Sequence, residues 1–175
     1  MSLIVISCPK INKKDFEWIQ SIRKKHDELY FDIIEPHFTF VFPTKSTLEK
    51  QLISHVKDIL NKQSEIKFNL GETIINKDAF NSYYHLFLIP NKGSDEIIKL
   101  HDLLYTKILE PELRKDIPFI PHLGIANNKN KNECLKLKKE LSKNKISING
   151  KINEIDICRY ENNKIITITK IKLKK

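Results

Sequence analysis

The sequence predicts an α+β fold of two lobes, in which antiparallel or mixed sheets with outer helices enclose a central cleft. Strand and helix patterns occur twice in the same order along the 175 residues. Each half contains a strand that begins with Pro-His, and His37 and His122 lie 85 residues apart, close to half the chain length. Because no proline- or serine-rich linker separates the halves, we expect residues 1–175 to form a single domain with intertwined lobes.

In the first half, apolar runs predict strands, and apolar residues at helical spacing predict helices. Asn12 is a suitable N-cap for the first helix, which we expect to end near Tyr30. Ser46 and Glu49 form a capping-box pattern before the second helix. The predicted elements are strand 3–7, helix 12–30, strand 35–43, helix 48–60 and strand 66–75.

The second half repeats this order. Ser94 and Asp95 can begin a helix whose apolar face extends to Ile108 and which Pro111 ends. The chain then passes through the second Pro-His strand and a short helix into two closing strands. The predicted elements are strand 82–90, helix 94–110, strand 117–126, helix 133–141, strand 146–160 and strand 164–173.

The charge gives limited support for a nucleic-acid partner. The formal net charge is +9, and 28 of the 31 basic residues are lysines, the arginines being Arg23, Arg114 and Arg159. Clustered cations favour anionic partners such as RNA. A general enrichment in Lys, Ile and Asn explains the charge as well, and arginine is the residue preferred for bidentate phosphate binding.

Neither a membrane span nor a targeting segment is predicted. The N-terminus, MSLIVIS, lacks a basic region, and no run of about 18 apolar residues occurs. Cys8, Cys134 and Cys158 are an odd number without a CxxC pair, which argues against a disulfide framework or a structural zinc site. We therefore expect a cytoplasmic, monomeric protein with reduced thiols.

The first Pro-His segment, residues 36–43, is the first candidate for chemistry. The strand period of two places His37, Thr39 and Val41 on one face. A titratable imidazole then lies beside a hydroxyl group. The aromatic residues of the other face are expected in the core, and they are Phe38, Phe40 and Phe42.

The second segment, residues 121–126, repeats this pattern. Leu123 and Ile125 are expected inward, and the outward residues are His122, Gly124 and Ala126. The small residues after the histidine leave room for a ligand.

Two imidazoles on opposite sides of a phosphate suit in-line cleavage of a phosphodiester. The reaction needs a base for the attacking oxygen and an acid for the leaving oxygen, and imidazole serves as either near neutral pH. The Thr39 hydroxyl can donate to the oxygens that become more negative in the transition state. We expect a bell-shaped rate profile with both limbs between about pH 5 and 8.

The segments PHFTFVFP and PHLGIA resemble the paired His-x-Thr/Ser motifs of the two-histidine (2H) phosphoesterase superfamily, which includes the 2′-5′ RNA ligase-like and cyclic phosphodiesterase proteins. The stretch SIRKKHDELYFDIIEP resembles the helix and lead-in before the first motif, and the element order extends the resemblance over essentially the whole chain. The resemblance implies a bilobal fold whose lobes are related by a pseudo-twofold axis, and a site in the cleft that needs no metal or cofactor. It also implies hydrolysis or reversible formation of 2′-linked phosphodiesters of RNA or nucleotides.

Carried over by position, the resemblance implies that His37 and His122 are the general acid and base and that Thr39 binds a non-bridging oxygen. Gly124 stands where the family pattern has Thr or Ser, so one side-chain donor is missing. A backbone N–H, a lysine or a water can take its place. The glycine also fits an altered substrate, or a protein that binds without turnover.

Further residues are candidates for the site. Arg159 leaves the penultimate strand near the expected cleft and is a candidate phosphate contact, and His85 is a candidate cleft residue. Tyr83 or Tyr84 can stack on a base or pack in the core. The remaining histidines are expected to be solvated or half-buried on helices, and they are His26, His55 and His101. The alternatives to an enzyme are an RNA- or nucleotide-binding module with little or no activity, and a structural protein with buried histidines.

Overall fold

The computed structural model describes residues 1–45 and 47–175, which form two antiparallel sheets, four α-helices and a short 3₁₀ helix. The strands are β1 (Ser2–Ser7), β2 (Lys10–Ile11), β3 (Phe38–Thr44), β4 (Ile66–Lys77), β5 (Tyr84–Lys92), β6 (Leu123–Asn128), β7 (Ile148–Ile152), β8 (Glu154–Glu161) and β9 (Lys164–Lys172). The helices are α1 (Lys13–His26), α2 (Glu49–Leu60), α3 (Ser94–Leu104) and α4 (Lys131–Leu141), and the 3₁₀ helix is Lys107–Glu112.

Each sheet combines strands from both halves of the chain. One sheet has the order β3-β1-β8-β9 and the other the order β2-β7-β4-β5-β6. The strands that follow the two Pro-His pairs, β3 and β6, are edge strands, next to β1 and β5 respectively. On their other sides, β1 and β5 each pair with a strand from the opposite half of the chain. These pairs are β1 with β8 and β5 with β4. The predicted α+β bilobal class is confirmed.

Both Pro-His strands contain a β-bulge at the same distance from the histidine. The extra residues are Phe40 in β3 and Ile125 in β6, and each lies three residues after its histidine. This repeated irregularity extends the pseudo-twofold relation to single residues. The pairs that flank the bulges are Ile6 with Thr39 and Val5 with Val41, and Phe87 with Gly124 and Leu86 with Ala126.

The bulges overturn the predicted faces of the residues beyond them. Val41 and Ala126, expected on the outward face, are buried in the core. Phe42, expected in the core, is 47% exposed. One inserted residue reverses the alternation of a strand, so a strict period of two gives the wrong face after the bulge.

The core lies between the sheets and the helices. One face of β1 contributes Leu3 and Val5 to the main cluster, whereas Ile4 and Ile6 form a small second cluster with Cys158 on the other face. We call this second face of the four-stranded sheet its cleft face. Further members of the main cluster are Phe38, Phe40, Leu52, Leu86, Leu88, Leu100, Leu123 and Ile157.

Several boundaries differ from the prediction. The closing segment 146–160 is two strands in different sheets, since β7 joins the five-stranded sheet and β8 the four-stranded one. Helix α3 ends at Leu104, and the 3₁₀ helix that contains Pro111 begins at Lys107, where φ is 52°. Asn162 and Asn163 both have positive φ and close the β8–β9 hairpin with a tight turn.

The start of α2 also differs from the prediction. The helix begins at Glu49, and the side chain of its N-cap residue, Leu48, makes no capping hydrogen bond. The predicted cap, Ser46, lies outside the described residues. Within the described part of the chain, no helix is long and apolar enough to cross a membrane.

Candidate active site

His37 and His122 immediately precede β3 and β6 and are held by the same contact. Nδ1 of His37 lies 2.9 Å from the carbonyl oxygen of Glu35, and Nδ1 of His122 lies 2.6 Å from that of Ile120. A carbonyl oxygen only accepts, so Nδ1 of each neutral ring carries the proton. This fixes the tautomer and leaves both Nε2 atoms, which have no protein partner among the described residues, available for proton transfer.

Burial lowers the pKa of both imidazoles from 6.5 to about 4. The hydrogen bond to the carbonyl of Glu35 opposes this effect at His37. At His122 the carbonyl of Ile120 opposes it, and the positive charge of His37 lowers the pKa further. The two rings therefore lie within range of each other's charge and titrate as a pair. Both side chains are only half-buried, as expected for rings that protein atoms surround but solvent still reaches.

Thr39 and Gly124 occupy matching places beside the two histidines. Thr39 pairs with Ile6 and so lies on the cleft face, where its hydroxyl has no hydrogen-bond partner among the described residues. Gly124 pairs with Phe87, and a Cβ atom built on this glycine meets no atom within 4 Å. The missing side chain therefore leaves open space next to His122.

Arg159 does not join these residues. Strand β8 pairs with β1 without a register shift, so Arg159, opposite Leu3, lies on the core-facing side of the sheet. Its guanidinium lies 2.5 Å from the Glu49 carboxylate at the start of α2. The next residue, Tyr160, takes the cleft face instead. This placement does not fit the expectation that Arg159 contacts phosphate. A residue of β8 that reaches the cleft must lie on the other face of the strand.

An aromatic column leads away from His122. The His122 ring stacks on Phe87 with 3.6 Å between centroids, Phe87 stacks on His85 at 5.7 Å, and His85 stacks on Tyr30 at 6.3 Å. His85 Nε2 also lies 2.8 Å from the Asp78 carboxylate. His85 thus lies on the same strand face as Phe87. Of the four residues in this column, the sequence indicates only His85 and His122 as candidates for the site.

A buried ion pair fixes the lead-in to the first motif. Arg23 is 1% exposed, and its Nε donates to the Asp27 carboxylate at 2.9 Å. One terminal nitrogen of the guanidinium donates to the carbonyl oxygens of Tyr30 and Ile34. The other Asp27 oxygen accepts from the Asn127 side chain of β6 at 2.5 Å. This cluster therefore joins α1, the segment before His37 and the second Pro-His strand.

The same ion pair explains why α1 ends early. The sequence predicts a helix to Tyr30, but the last helical residue is His26. The Asp27 side chain accepts from the Tyr30 N–H, and Arg23 takes the Tyr30 carbonyl, so side chains satisfy backbone groups that another helical turn would have paired.

The other histidines are not all placed as predicted. His26 is exposed, but His55 and His101 are buried rather than half-buried. His55 Nε2 lies 2.9 Å from the Leu104 carbonyl oxygen, and the His101 ring stacks on Phe119 at 3.7 Å. Burial lowers the pKa of His101. The buried rings of His55 and His101 therefore have packing partners of their own.

The surface away from the two motifs offers shallow depressions. Two of them, of about 460 and 420 Å³, lie on the outer faces of α3 and α4, and neither is lined by a histidine. In residues 1–45 and 47–175, no group of three or more His, Cys, Asp and Glu side chains is placed to hold a metal ion. We place the candidate site at the paired motifs because His37 and His122 are held by the same contact and both have an available Nε2 atom.

Solved structures of other proteins share the fold of this chain. E. coli LigT in its apo form matches the structure with a TM-score of 0.61 at 15% identity, and E. coli LigT complexed with 3′-AMP matches with 0.61 at 14%. TT0787 of Thermus thermophilus matches with 0.59 at 10%. Each match covers 99% of this chain and 98% of the other. No curated protein matches the chain by sequence. The family model of the 2′-5′ RNA ligase superfamily matches residues 11–164, and the chain therefore belongs to this superfamily.

Proposed function

We propose that the protein is a metal-independent phosphodiesterase that acts on a 2′,3′-cyclic phosphate or a 2′-5′ phosphodiester of RNA or nucleotides. The observation that carries the proposal is the matched pair of histidines, His37 and His122. Each has Nδ1 on the carbonyl two residues earlier, each has Nε2 free, and the two rings are electrostatically coupled. Membership of the 2′-5′ RNA ligase superfamily and the likeness to a protein solved with 3′-AMP support a nucleotide substrate.

In the proposed mechanism, one neutral Nε2 accepts a proton from the attacking water, and the protonated ring of the other histidine donates to the leaving oxygen. The Thr39 hydroxyl donates to a non-bridging oxygen as negative charge develops on it. The reverse reaction exchanges the roles of acid and base. The matched geometry of the two rings is compatible with either assignment, which the orientation of the substrate decides.

The direct test is a panel of nucleoside 2′,3′-cyclic phosphates and 2′-5′ dinucleotides, assayed with EDTA present. Turnover of at least one of these substrates is expected, because the proposed acid and base are protein side chains. Binding without turnover of any substrate would contradict the proposal. That result would favour the alternative, an RNA- or nucleotide-binding module.

Gly124 is the observation that favours this alternative, and Gly124→Thr tests it. The open space at this position accommodates a threonine, which would restore a second hydroxyl donor. We expect kcat to rise, by up to about 10²-fold if the missing donor limits the reaction. Steady-state assays on the best substrate of the panel measure the effect.

Thr39→Val provides the matched opposite change, since it removes the donor at the equivalent position and is expected to lower kcat. An unchanged kcat in Gly124→Thr together with a large loss in Thr39→Val would show that another donor already serves the second side. An unchanged kcat in both variants would contradict the role of hydroxyl donors at both positions.

The pH dependence follows from the lowered pKa values of His37 and His122, about 4 in the free protein. Catalysis needs one protonated and one neutral ring, and kcat/KM reports the free enzyme. We therefore expect kcat/KM to be greatest near pH 4, below the range of about pH 5 to 8 that ordinary imidazole pKa values predict, and to fall as the pH rises because the singly protonated pair is depleted. A bound phosphodiester favours the imidazolium, so the limbs of the kcat profile are expected at higher pH.

Acid unfolding must be separated from this effect. Since both pKa values are lowered on folding, the two rings contribute stability that is intact above pH 6.5 and is lost as the pH falls through about 4. The fluorescence of Trp18 at each pH gives the folded fraction. A kcat/KM optimum above pH 6.5 in fully folded protein would contradict the predicted titration.

A further inference from the structure

Two aromatic side chains at the β4–β5 turn lie against cations. The Arg114 guanidinium lies 5.3 Å from the centroid of the Phe80 ring, and Lys129 Nζ lies 5.4 Å from that of Tyr83. Phe80 is 75% exposed, so most of its ring remains free. We call these four residues the aromatic ledge. An exposed aromatic ring beside cationic groups is the combination that binds single-stranded nucleic acid, because bases stack on the ring and phosphates bind the cations.

The turn that carries the ledge is ordered by Asp78. Its carboxylate accepts from the backbone N–H groups of Phe80 and Asn81 and also binds the His85 ring. The Asp78 carboxylate therefore faces the backbone of the turn on one side and the aromatic column on the other. The Asp116 carboxylate binds the Arg114 guanidinium at 2.6 Å and orients it over the ring. The Phe80 ring is thus presented outward by a fixed backbone.

The ledge is continuous with the proposed catalytic cleft. His85, which Asp78 binds, belongs to the aromatic column that ends at His122. Tyr83 precedes β5 in the same alternation as His85 and Phe87, and the carboxylate of Glu28, in the lead-in to the first motif, raises the pKa of the Tyr83 hydroxyl. Tyr84, the other tyrosine considered from the sequence, falls on the opposite face. Tyr83 and Phe87 are four positions apart, which corresponds to about 13 Å along a strand.

We propose that the aromatic ledge binds single-stranded RNA whose 3′ end lies in the catalytic cleft, with a base stacked on Phe80. The inference rests on the proposed function and narrows its substrate class to oligonucleotide ends in preference to mononucleotides. Because Tyr83 of the ledge lies about 13 Å along the strand from Phe87, on which His122 stacks, we expect the ledge to contact nucleotides that precede the one held at the histidines. Stacking of this kind accepts any base, so little sequence preference is expected.

The first test measures binding and does not depend on turnover. The probe is a labelled single-stranded RNA of about eight nucleotides with a 3′-phosphate, followed by fluorescence anisotropy. Phe80→Ala is expected to raise Kd about tenfold, and Phe80→Trp to preserve it. Leu103→Ala, which removes an exposed apolar side chain from the outer face of α3, is the matched control and is expected to leave Kd unchanged. Lys129→Gln is expected to reduce the slope of log Kd against log salt by about 0.7.

The second test compares an oligonucleotide that ends in a 2′,3′-cyclic phosphate with the corresponding mononucleotide. Phe80→Ala is expected to lower kcat/KM about tenfold for the oligonucleotide, through KM, and to leave the mononucleotide unaffected. An equal loss on both substrates, or no loss of binding or of kcat/KM for the oligonucleotide, would overturn the inference. If the wild-type protein opens neither substrate, the proposed function fails, and the binding experiment still decides whether the ledge holds RNA.

Discussion

Replacement of His37 or His122 by alanine is expected to lower kcat for opening of a 2′,3′-cyclic phosphate by roughly 10²- to 10⁴-fold. Each ring supplies one of the two proton transfers, and Nε2 is its free nitrogen because Nδ1 is held by a carbonyl. Groups that act as a unit are not additive, so the double variant is expected to lose little more than either single variant. Steady-state kinetics on the purified variants measure all three effects.

His26→Ala is the matched control, because this ring is exposed and lies on α1 outside the cleft. It is expected to retain full activity. A substrate whose leaving group needs no proton distinguishes the two catalytic rings, since it rescues loss of the acid but not loss of the base. Full activity in both His37→Ala and His122→Ala would remove the proposed mechanism.

The parts of the site that could be predicted from the sequence are the parts set by local chain geometry. A proline before each histidine and the apolar strand after it are contiguous, so His37, His122, Thr39 and Gly124 follow from the motifs themselves. The bulges at Phe40 and Ile125 are not readable in the same way, because a bulge depends on the partner strand. The predicted faces of the residues beyond each bulge are therefore wrong.

The face on which Arg159 lies is also not predictable from the sequence. The segment 146–160 looks continuous in sequence, but it is divided between the two sheets, and the parity of β8 is set by its pairing with β1. The face that a charged residue takes then depends on contacts across more than 150 residues. The sequence indicates only that Arg159 is near the cleft and is a candidate phosphate contact, whereas the strand pairing turns Tyr160 to the cleft face.

Long-range polar contacts are the least predictable feature. Arg23 is of a residue type that is rarely fully buried, yet it is 1% exposed, and the partner of its ion pair, Asp27, is bound by Asn127 from the other half of the chain. The helical pattern predicts that α1 continues past these residues. Only tertiary structure reveals that side chains here take over the backbone hydrogen bonds of the next turn.

The buried cluster predicts the largest loss of stability. Asp27→Ala leaves the Arg23 guanidinium without its carboxylate at a site that is almost fully buried, and removal of one partner of a buried ion pair destabilises a protein by about 3–5 kcal/mol. Urea unfolding at pH 7, followed by Trp18 fluorescence, measures the change in the free energy of unfolding.

Replacement of both charged residues distinguishes the effect of an unpaired buried charge from the effect of lost packing. Because an apolar pair does not leave a buried charge uncompensated, the double variant Arg23→Met, Asp27→Leu is expected to be more stable than Asp27→Ala. Glu17→Ala is the control on the same helix, since Glu17 forms an exposed i, i+4 pair with Lys13 at 3.7 Å and its loss is expected to cost at most about 0.5 kcal/mol. A loss in Asp27→Ala no larger than in this control would contradict the assignment of the cluster as the contact that holds α1, the lead-in to His37 and β6 together.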